Sequence, residues 1–446
     1  MSRSRYVSAI LVALCVYFFY HQNVLGAVHG SPWAQFIYLG MLLLYSCSRP
    51  SFREALGAVF FGVFLTNAVG FPATFAYPGG PLVTTGAYIG VIGILALVWR
   101  APRDVNARQM LFRCMAFLGM GLCIDRLLAV NAQFAAWKLD LYLYALDLKL
   151  TGLAPSFWLA ASRFQAVMRP TELAIYYALP FVTALVYAGH ISRGRPRGTN
   201  FALIAIGNML IGYVVYLFYP AAGPAYAFPN TFPRLLPVLS GLHPQMIAAP
   251  ANAMPSLHMS AALLIWWNSK HWRYARYLAL AFLAITMLAT MGLGEHYCTD
   301  LIVAVPFALC MQALGTRRPL RMTCLAAGFS MSVAWLALLR YGFPLLTASS
   351  LMLRMGAALT VCVSLWLAHG LLGEQAVLTR RRGENPLKGS ACKLGDCNFP
   401  EVRAQRERRN VLTLKSGVPL GGCDNMRMET GPAWRMAFPS LIKARF

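Results

Sequence analysis

Acidic residues are scarce in this chain. Of its 446 residues only 15 are Asp or Glu, against 39 Lys or Arg, and eight of those acids precede residue 373. Charged residues of either sign make up 12%, while 58% are hydrophobic. A soluble domain cannot hide that much apolar surface, so a soluble globular enzyme is excluded. A formal charge of +24 would suggest nucleic acid in a soluble protein. Here the basic residues fall in short loops between apolar runs, so membrane topology accounts for them and nucleic acid is not an expected partner.

A disulfide framework and a metal-ligand pattern are also lacking. Cys15, Cys47, Cys114, Cys123, Cys310, Cys324 and Cys362 lie in apolar runs, where cysteine acts as a small hydrophobe. Cys392, Cys397 and Cys423 lack zinc-ligand spacing. No metal site and no cofactor are expected. Met1 to Leu25 has a basic start, but its apolar run is long enough to remain as a first span rather than a cleaved signal.

What the chain has in abundance is apolar runs of spanning length. Spans are predicted at Tyr6–Leu25, Trp33–Cys47, Ala55–Thr74, Leu82–Trp99, Met110–Leu128 and Glu172–Gly189. Six more follow at Phe201–Tyr219, Ser256–Asn268, Tyr274–Gly292, Thr299–Gly315, Met322–Leu339 and Met355–Leu372. The expected fold is all-α and polytopic, with about twelve transmembrane helices. One set of loops carries the basic clusters: Arg3 and Arg5, Arg49 and Arg53, Arg100 to Arg113, Arg193 to Arg197, Lys270 to Arg276, and Arg317 to Arg321. The positive-inside rule puts these loops and both termini in the cytoplasm.

Two segments on the opposite side are not short loops. Asn131 to Met168 mixes Trp137, Lys138, Asp140, Tyr142, Tyr144, Asp147 and Lys149 with leucines, as helices lying in the membrane interface do, with aromatic and charged residues on the wet side. Pro220 to Pro250 is too rich in proline to be helical throughout, and reads as a rigid loop over a site.

Two polar islands interrupt the apolar pattern on that same side. The first is Asn252-Ala253-Met254-Pro255-Ser256-Leu257-His258, the second Gly294-Glu295-His296-Tyr297-Cys298-Thr299-Asp300. Pro255 suits the first turn of a helix, whose free N–H groups attract anions, and Ser256 adds a hydroxyl. His258 stands ready to protonate a leaving oxygen. Asp300, four residues after His296, would share a helical face with it and hold one imidazole nitrogen, leaving the other free to attack. Taken singly, each island also reads as a capped helix end or an interfacial ion pair. Two on one side, separated by one helical hairpin, favour a site.

Pro255-Ser256-Leu257-His258 resembles the second signature of the type 2 phosphatidic acid phosphatase superfamily. Gly294 to Asp300, with its His-x-x-x-Asp, resembles the third. The Ser-Leu-His form, the His-Tyr pair and Tyr219-Pro220-Ala221-Ala222-Gly223-Pro224 look most like the inositol phosphorylceramide synthase branch, an inositolphosphotransferase. The likeness covers about Met110 to Gly315. It implies that His296 is the nucleophile forming a phosphohistidine, that Asp300 orients it, that His258 is the general acid and that Ser256 binds phosphate oxygens, without metal. It further implies a six-helix core at 110–316; outside the likeness, the apolar runs read as a four-helix membrane segment at 1–109 and two helices at 317–372. A basic, disordered cytoplasmic tail would occupy 373–446.

The first signature, a Lys followed at a distance by Arg-Pro, is missing: the chain reads Gly223-Pro224 there. The Ser-Arg pair expected upstream of the third histidine is replaced by Ala289 and Thr290. Phosphate needs positive partners, and Arg169 and Arg234 are the preferred substitutes, with Arg126, Arg163, Arg340 and Arg354 as others. Each arginine alone also reads as one snorkelling to headgroups. Missing cations suit a phosphodiester donor better than a doubly charged monoester.

The expected function is a lipid phosphotransferase or phosphatase at the non-cytoplasmic face. Its substrate would be a phospholipid or a polyprenyl or sphingolipid phosphate. The alternatives are a transporter or flippase, and a degenerate member that binds lipid without turnover. Oligomeric state is not readable from the sequence.

Overall fold

The computed structural model describes residues 31–70, 79–192, 198–239, 241–270 and 272–383. The expected first span, Tyr6–Leu25, and the tail from 384 lie outside the described residues. The described chain is mostly helical. Its first four helices are α1 (Pro32–Cys47), α2 (Phe52–Val69), α3 (Gly80–Arg100) and α4 (Val105–Phe134). The middle of the chain holds α5 (Asp140–Thr151), α6 (Pro155–Ala161), α7 (Arg163–Tyr177), α8 (Leu179–Ser192), α9 (Phe201–Phe218) and α10 (Pro224–Ala227). It ends with α11 (Leu257–Ser269), α12 (Ala275–Gly292), α13 (Cys298–Leu314), α14 (Arg321–Tyr341), α15 (Phe343–Ala348) and α16 (Ser350–Gly383).

Local chemistry sets many of these starts. Ser31, Ser51, Asp104 and Asn200 each accept a first-turn amide through a side-chain oxygen. Close backbone approach then joins the first helices: a Cβ on Gly90 of α3 would lie 2.0 Å from the Tyr38 carbonyl oxygen of α1. Small residues at crossings are how helices pack where lipid supplies no hydrophobic drive.

Seven described helices are long and apolar enough to cross a membrane: α2, α3, α4, α9, α12, α14 and the stretch 350–373 of α16. An eighth arises if Val167–Tyr177 and Leu179–Ser192, bent by 51° at their junction, count as one span. Three expected spans correspond to shorter helices: α1 with 16 residues, α11 with 13 and α13 with 17. At 1.5 Å per residue, 13 residues reach about 20 Å, short of the roughly 30 Å hydrocarbon core. α11 and α13 are apolar because protein surrounds them. Ala262, Leu263, Leu264 and Ile265 of α11, and Val303, Ala304 and Val305 of α13, are all buried. Hydropathy alone does not distinguish a helix buried in protein from one facing lipid.

The segment expected to lie in the interface forms α5, α6 and the start of α7, preceded by a short strand. That strand, β1 (Trp137–Lys138), pairs antiparallel with β2 (Gln245–Met246) of the Pro-rich loop. The pairing pins that loop across the bundle end. Of the charges of this segment Lys149 is exposed, as expected, whereas Lys138, Asp140 and Asp147 are buried rather than on a wet face.

Candidate active site

The two islands meet. In the first, the N–H groups of Asn252 and Ala253 both donate to the Ala221 carbonyl at 2.9 Å, which hangs the island from the Pro-rich loop. Ser256 caps α11, its hydroxyl accepting from Met259 N–H at 3.3 Å, and its own N–H donates to the Asp300 carbonyl at 3.3 Å. In the second, Gly294 takes a φ of +77° that L side chains avoid, and a Cβ there would strike Phe232 and Ala225. Glu295 and His296 donate their N–H groups back to Thr290 of α12 at 3.0 and 3.1 Å. Tyr297 then caps α13, where Asp300 Oδ2 accepts from the Tyr297 N–H at 2.7 Å.

His296 is held by the first island rather than by its own helix. Its Nδ1 lies 2.9 Å from the Ala253 carbonyl oxygen, which can only accept, so Nδ1 carries the proton and Nε2 keeps the lone pair. Asp300 Oδ2 stands 3.6 Å from Nδ1, beyond hydrogen-bond length. The expectation of a shared helical face does not apply, because α13 begins at Cys298 and His296 precedes it. Asp300 stands behind the ring, its carboxyl pushed well above the usual carboxylate range by burial, against the lowering effect of the Tyr297 N–H. Burial pushes the His296 imidazole down to about 4, opposed by the Glu295 carboxylate and the Ala253 carbonyl.

His258, on the first turn of α11, stacks on Tyr176 of α7 at 3.9 Å between ring centroids, and meets Trp33 of α1 edge-on at 5.9 Å. Its ring centroid is 6.1 Å from that of His296. Its Nε2 is buried without a hydrogen-bond partner.

Beneath the islands lies a floor of buried carboxylates on α5. Asp140 accepts from the N–H groups of Ala222 and Gly223 at 2.9 to 3.1 Å and from the Tyr297 hydroxyl at 3.0 Å. Asp147 accepts from the N–H groups of Cys298 and Thr299 and from the Thr299 hydroxyl, at 2.7 to 3.0 Å. It therefore sits on the N-terminus of α13, where the helix dipole favours negative charge. Burial pushes both carboxyls up to about 6, against the lowering effect of these donors. Ser156 of α6 adds a hydroxyl donated to the His296 carbonyl at 2.7 Å. Gly223, with φ +97°, lies so close that a Cβ would be 2.3 Å from the Glu295 carbonyl oxygen.

Above the islands opens a cavity of about 380 Å³. One end is polar, with His258, His296, Glu295, Asn252, Tyr176 and Tyr226. The other is apolar, with Phe117, Met120, Ile124, Ala205, Met209 and Ile265 among its walls. Phe201 and Tyr216 both line it on α9, and their separation (216 − 201 = 15 residues) gives roughly 22 Å along the helix axis. The shape is an elongated apolar slot ending in a histidine pair. Among the described residues lining it none is Lys or Arg. Arg169 and Arg234 lie exposed on the surface, as do Arg126, Arg340 and Arg354. Of the expected set, His258 and His296 line the cavity, Asp300 lies directly behind, and Ser256 is buried at the helix cap rather than in the wall. Among the described residues no cluster of three His, Cys, Asp or Glu could hold a metal ion.

Residues 141–314 match a family model of the PAP2 superfamily. No curated protein matches the chain, and no solved structure does. The PAP2 match takes in both islands, the α5 floor from Leu141 onward and the Pro-rich loop. It supports a phosphatase- or phosphotransferase-type fold with apolar helices. Trp33 and the α4 residues Phe117, Met120, Gly121, Ile124 and Leu128 lie outside the match yet line the cavity. Sequence reasoning assigned no part to Glu295, Asn252, Tyr176 or Tyr226, nor a positioning role to Asp140 and Asp147. The one available signal was the seven-residue spacing of the two aspartates, which repeats on one helical face.

Proposed function

We propose that this protein is an integral membrane phosphotransferase or phosphatase acting on a lipid phosphate or phospho-headgroup through a phosphohistidine on His296. The observation that carries the reading is His296 itself: Nδ1 bound to the Ala253 carbonyl, Nε2 left with its lone pair, in a wall facing His258. Nε2 attacks phosphorus, the bond from phosphorus to the leaving oxygen breaks, and His258 gives that oxygen a proton. Water or an acceptor alcohol then attacks the phosphohistidine, its proton passing to His258, and His296 is released. The charge that builds on the His296 ring faces Asp300 Oδ2 at 3.6 Å. The first-turn amides of α11 supply an anion site beside His258.

The apolar slot suits acyl or prenyl chains, and the loop charges favour an active site on the non-cytoplasmic face with both termini inside. Incubation with labelled phospholipid followed by an acid quench and an alkaline quench tests the reading. A covalent label that survives alkali, is lost in acid and is absent from His296→Ala is expected. Full turnover by His296→Ala would sink it. The absence of Lys and Arg among the described residues of the wall is the one observation favouring a lipid-binding protein without turnover. Failure to trap any phosphoenzyme during measured lipid binding would select that reading.

A further inference from the structure

The far half of the Pro-rich loop turns apolar side chains outward. Leu235, Leu236, Val238, Leu239 and Leu242 are all exposed, Val238 most of all at 89%, and Arg234 beside them is exposed too. Where the loop returns, Trp137 of β1 and its partner Met246 of β2 are also exposed. A water-facing loop carries turn residues and charge, whereas a contiguous apolar patch of this kind marks a contact.

The depth of the patch follows from what the loop rests on. Tyr142 and Tyr144 of α5 donate their hydroxyls to the Leu242 and Pro237 carbonyls at 3.2 and 3.3 Å. α5 in turn is tied to the ends of two helices long enough to cross a membrane. The Tyr142 ring meets Phe343, just past the end of α14, edge-on at 5.1 Å. Near the start of α16, Arg354 Nε donates to the Leu150 carbonyl at 2.7 Å. Tyr142 and Leu150 are roughly 12 Å apart along α5, so this helix lies across the span ends. The loop on it therefore sits where the spans leave the membrane. Irregular backbone is kept out of the hydrocarbon core, because its N–H and C=O groups would lose their partners there. Aliphatic side chains reaching into the headgroup and acyl boundary gain by leaving water.

We propose that residues 234–242 form an interfacial wedge whose partner is the bilayer surface, with the aliphatic side chains at the edge of the acyl layer and Arg234 on the lipid phosphates. The wedge is joined to the histidine end of the cavity at both of its roots. Before it, Phe232 packs on Phe157 at 5.0 Å and stands where a Cβ on Gly294 would strike it. After it, Pro250 and Asn252 line the cavity. A wedge seated in the interface thus holds the polar end of the cavity at headgroup depth. This placement is independent of the phosphotransfer reading.

The test replaces Val238 with the photoreactive benzoylphenylalanine in the full-length protein, held in nanodiscs of equal parts phosphatidylcholine and phosphatidylglycerol. Irradiation followed by mass spectrometry reads what the loop touches. A phospholipid adduct on the loop peptide is expected. The anionic lipid should be favoured about fivefold, and Arg234→Gln should bring the two lipids near parity. Because an apolar probe can insert by itself, the same probe is also read in Leu235→Asp with Leu236→Asp, where the adduct is expected to fall roughly tenfold. An unchanged adduct in that variant overturns the wedge. So does a crosslink to a second copy or to another segment of the chain, and so does a folded protein that yields no lipid adduct. Equal yields of the two lipids with Arg234 in place would overturn the seat assigned to its side chain.

Discussion

Two sets of buried polar groups lie on either side of the same loop, and they differ in one respect. Below the islands, Asp140 and Asp147 have both oxygens occupied by backbone amides or hydroxyls. Above, in the cavity wall, His258 Nε2 and Asn252 Oδ1 have no partner, and His296 Nε2 is left with its lone pair. Buried polar groups that are fully satisfied rigidify a structure, and buried groups left open are costly unless something else completes them. The floor holds the loop in place, and the wall waits for a ligand. The same loop, residues 294 to 300, belongs to both.

The comparison breaks most sharply at His296. His296→Ala is expected to lower turnover by roughly a thousandfold or more while leaving the fold intact, since it removes one hydrogen bond and no floor contact. Lipid phosphate release and thermal unfolding, measured together, check both halves. A variant that unfolds would place His296 in the floor.

Asp147→Ala should do the reverse. It strands three donors on the N-terminus of α13, and is expected to cost about 3–5 kcal/mol of stability. The pH dependence has a definite sign. Because the folded pKa of Asp147, about 6, is above the unfolded value of 3.8, its contribution is complete below 3.8 and is lost as pH rises through 6. The gap in unfolding temperature between the wild type and Asp147→Asn should therefore narrow between pH 4 and pH 7. A gap that widens would mean the carboxylate is held ionised instead.

What was legible in the sequence follows the same division. His258, His296 and Asp300 could be named because short motifs carry them, and their motifs are local. That His296 is held by the Ala253 carbonyl could not be read, because the contact joins residues 43 apart through backbone that leaves no trace in side-chain type. Asp140 and Asp147 were visible as charges but were assigned to a wet face, because an acidic residue at a membrane boundary gives no sign of whether its partner is water or an amide. The helices were legible as apolar runs, whereas the shortness of α11 and their setting among other helices were not. The substitution of α4 and Trp33 for part of the cavity wall lies outside any motif.

Two smaller changes sharpen the boundary between floor and wall. Gly223→Ala forces a Cβ against the Glu295 carbonyl at a φ of +97°, and is expected to cost about 2–3 kcal/mol in thermal unfolding. Unchanged stability would mean that the Pro-rich loop is not seated on the second island. Ser256→Ala should cost about 1 kcal/mol, the usual loss for a helix cap, with activity reduced only as far as His258 is displaced. Ser256→Gly, which tolerates the cap geometry, should recover most of the stability. A hundredfold loss of turnover in a folded Ser256→Ala would instead assign its hydroxyl to phosphate.

The smallest effect is expected at the far end of the wall, where no polar group is involved. Ala205 lies on α9 well below Tyr216 (216 − 205 = 11 residues), roughly 16 Å further from the histidines along the axis. Leucine there fills the slot without touching the floor. A donor whose chain reaches that depth must shorten its path or bind less deeply, whereas a short-chain donor never meets the new side chain. Ala205→Leu should therefore raise KM about threefold for long-chain donors, leave kcat unchanged and leave dioctanoyl donors unaffected, as expected for lost binding shared by ground and transition states. Equal effects on both chain lengths would mean that the slot does not hold the lipid tail. The open end of the wall would then have to receive its substrate from another direction, past α7 and the Pro-rich loop.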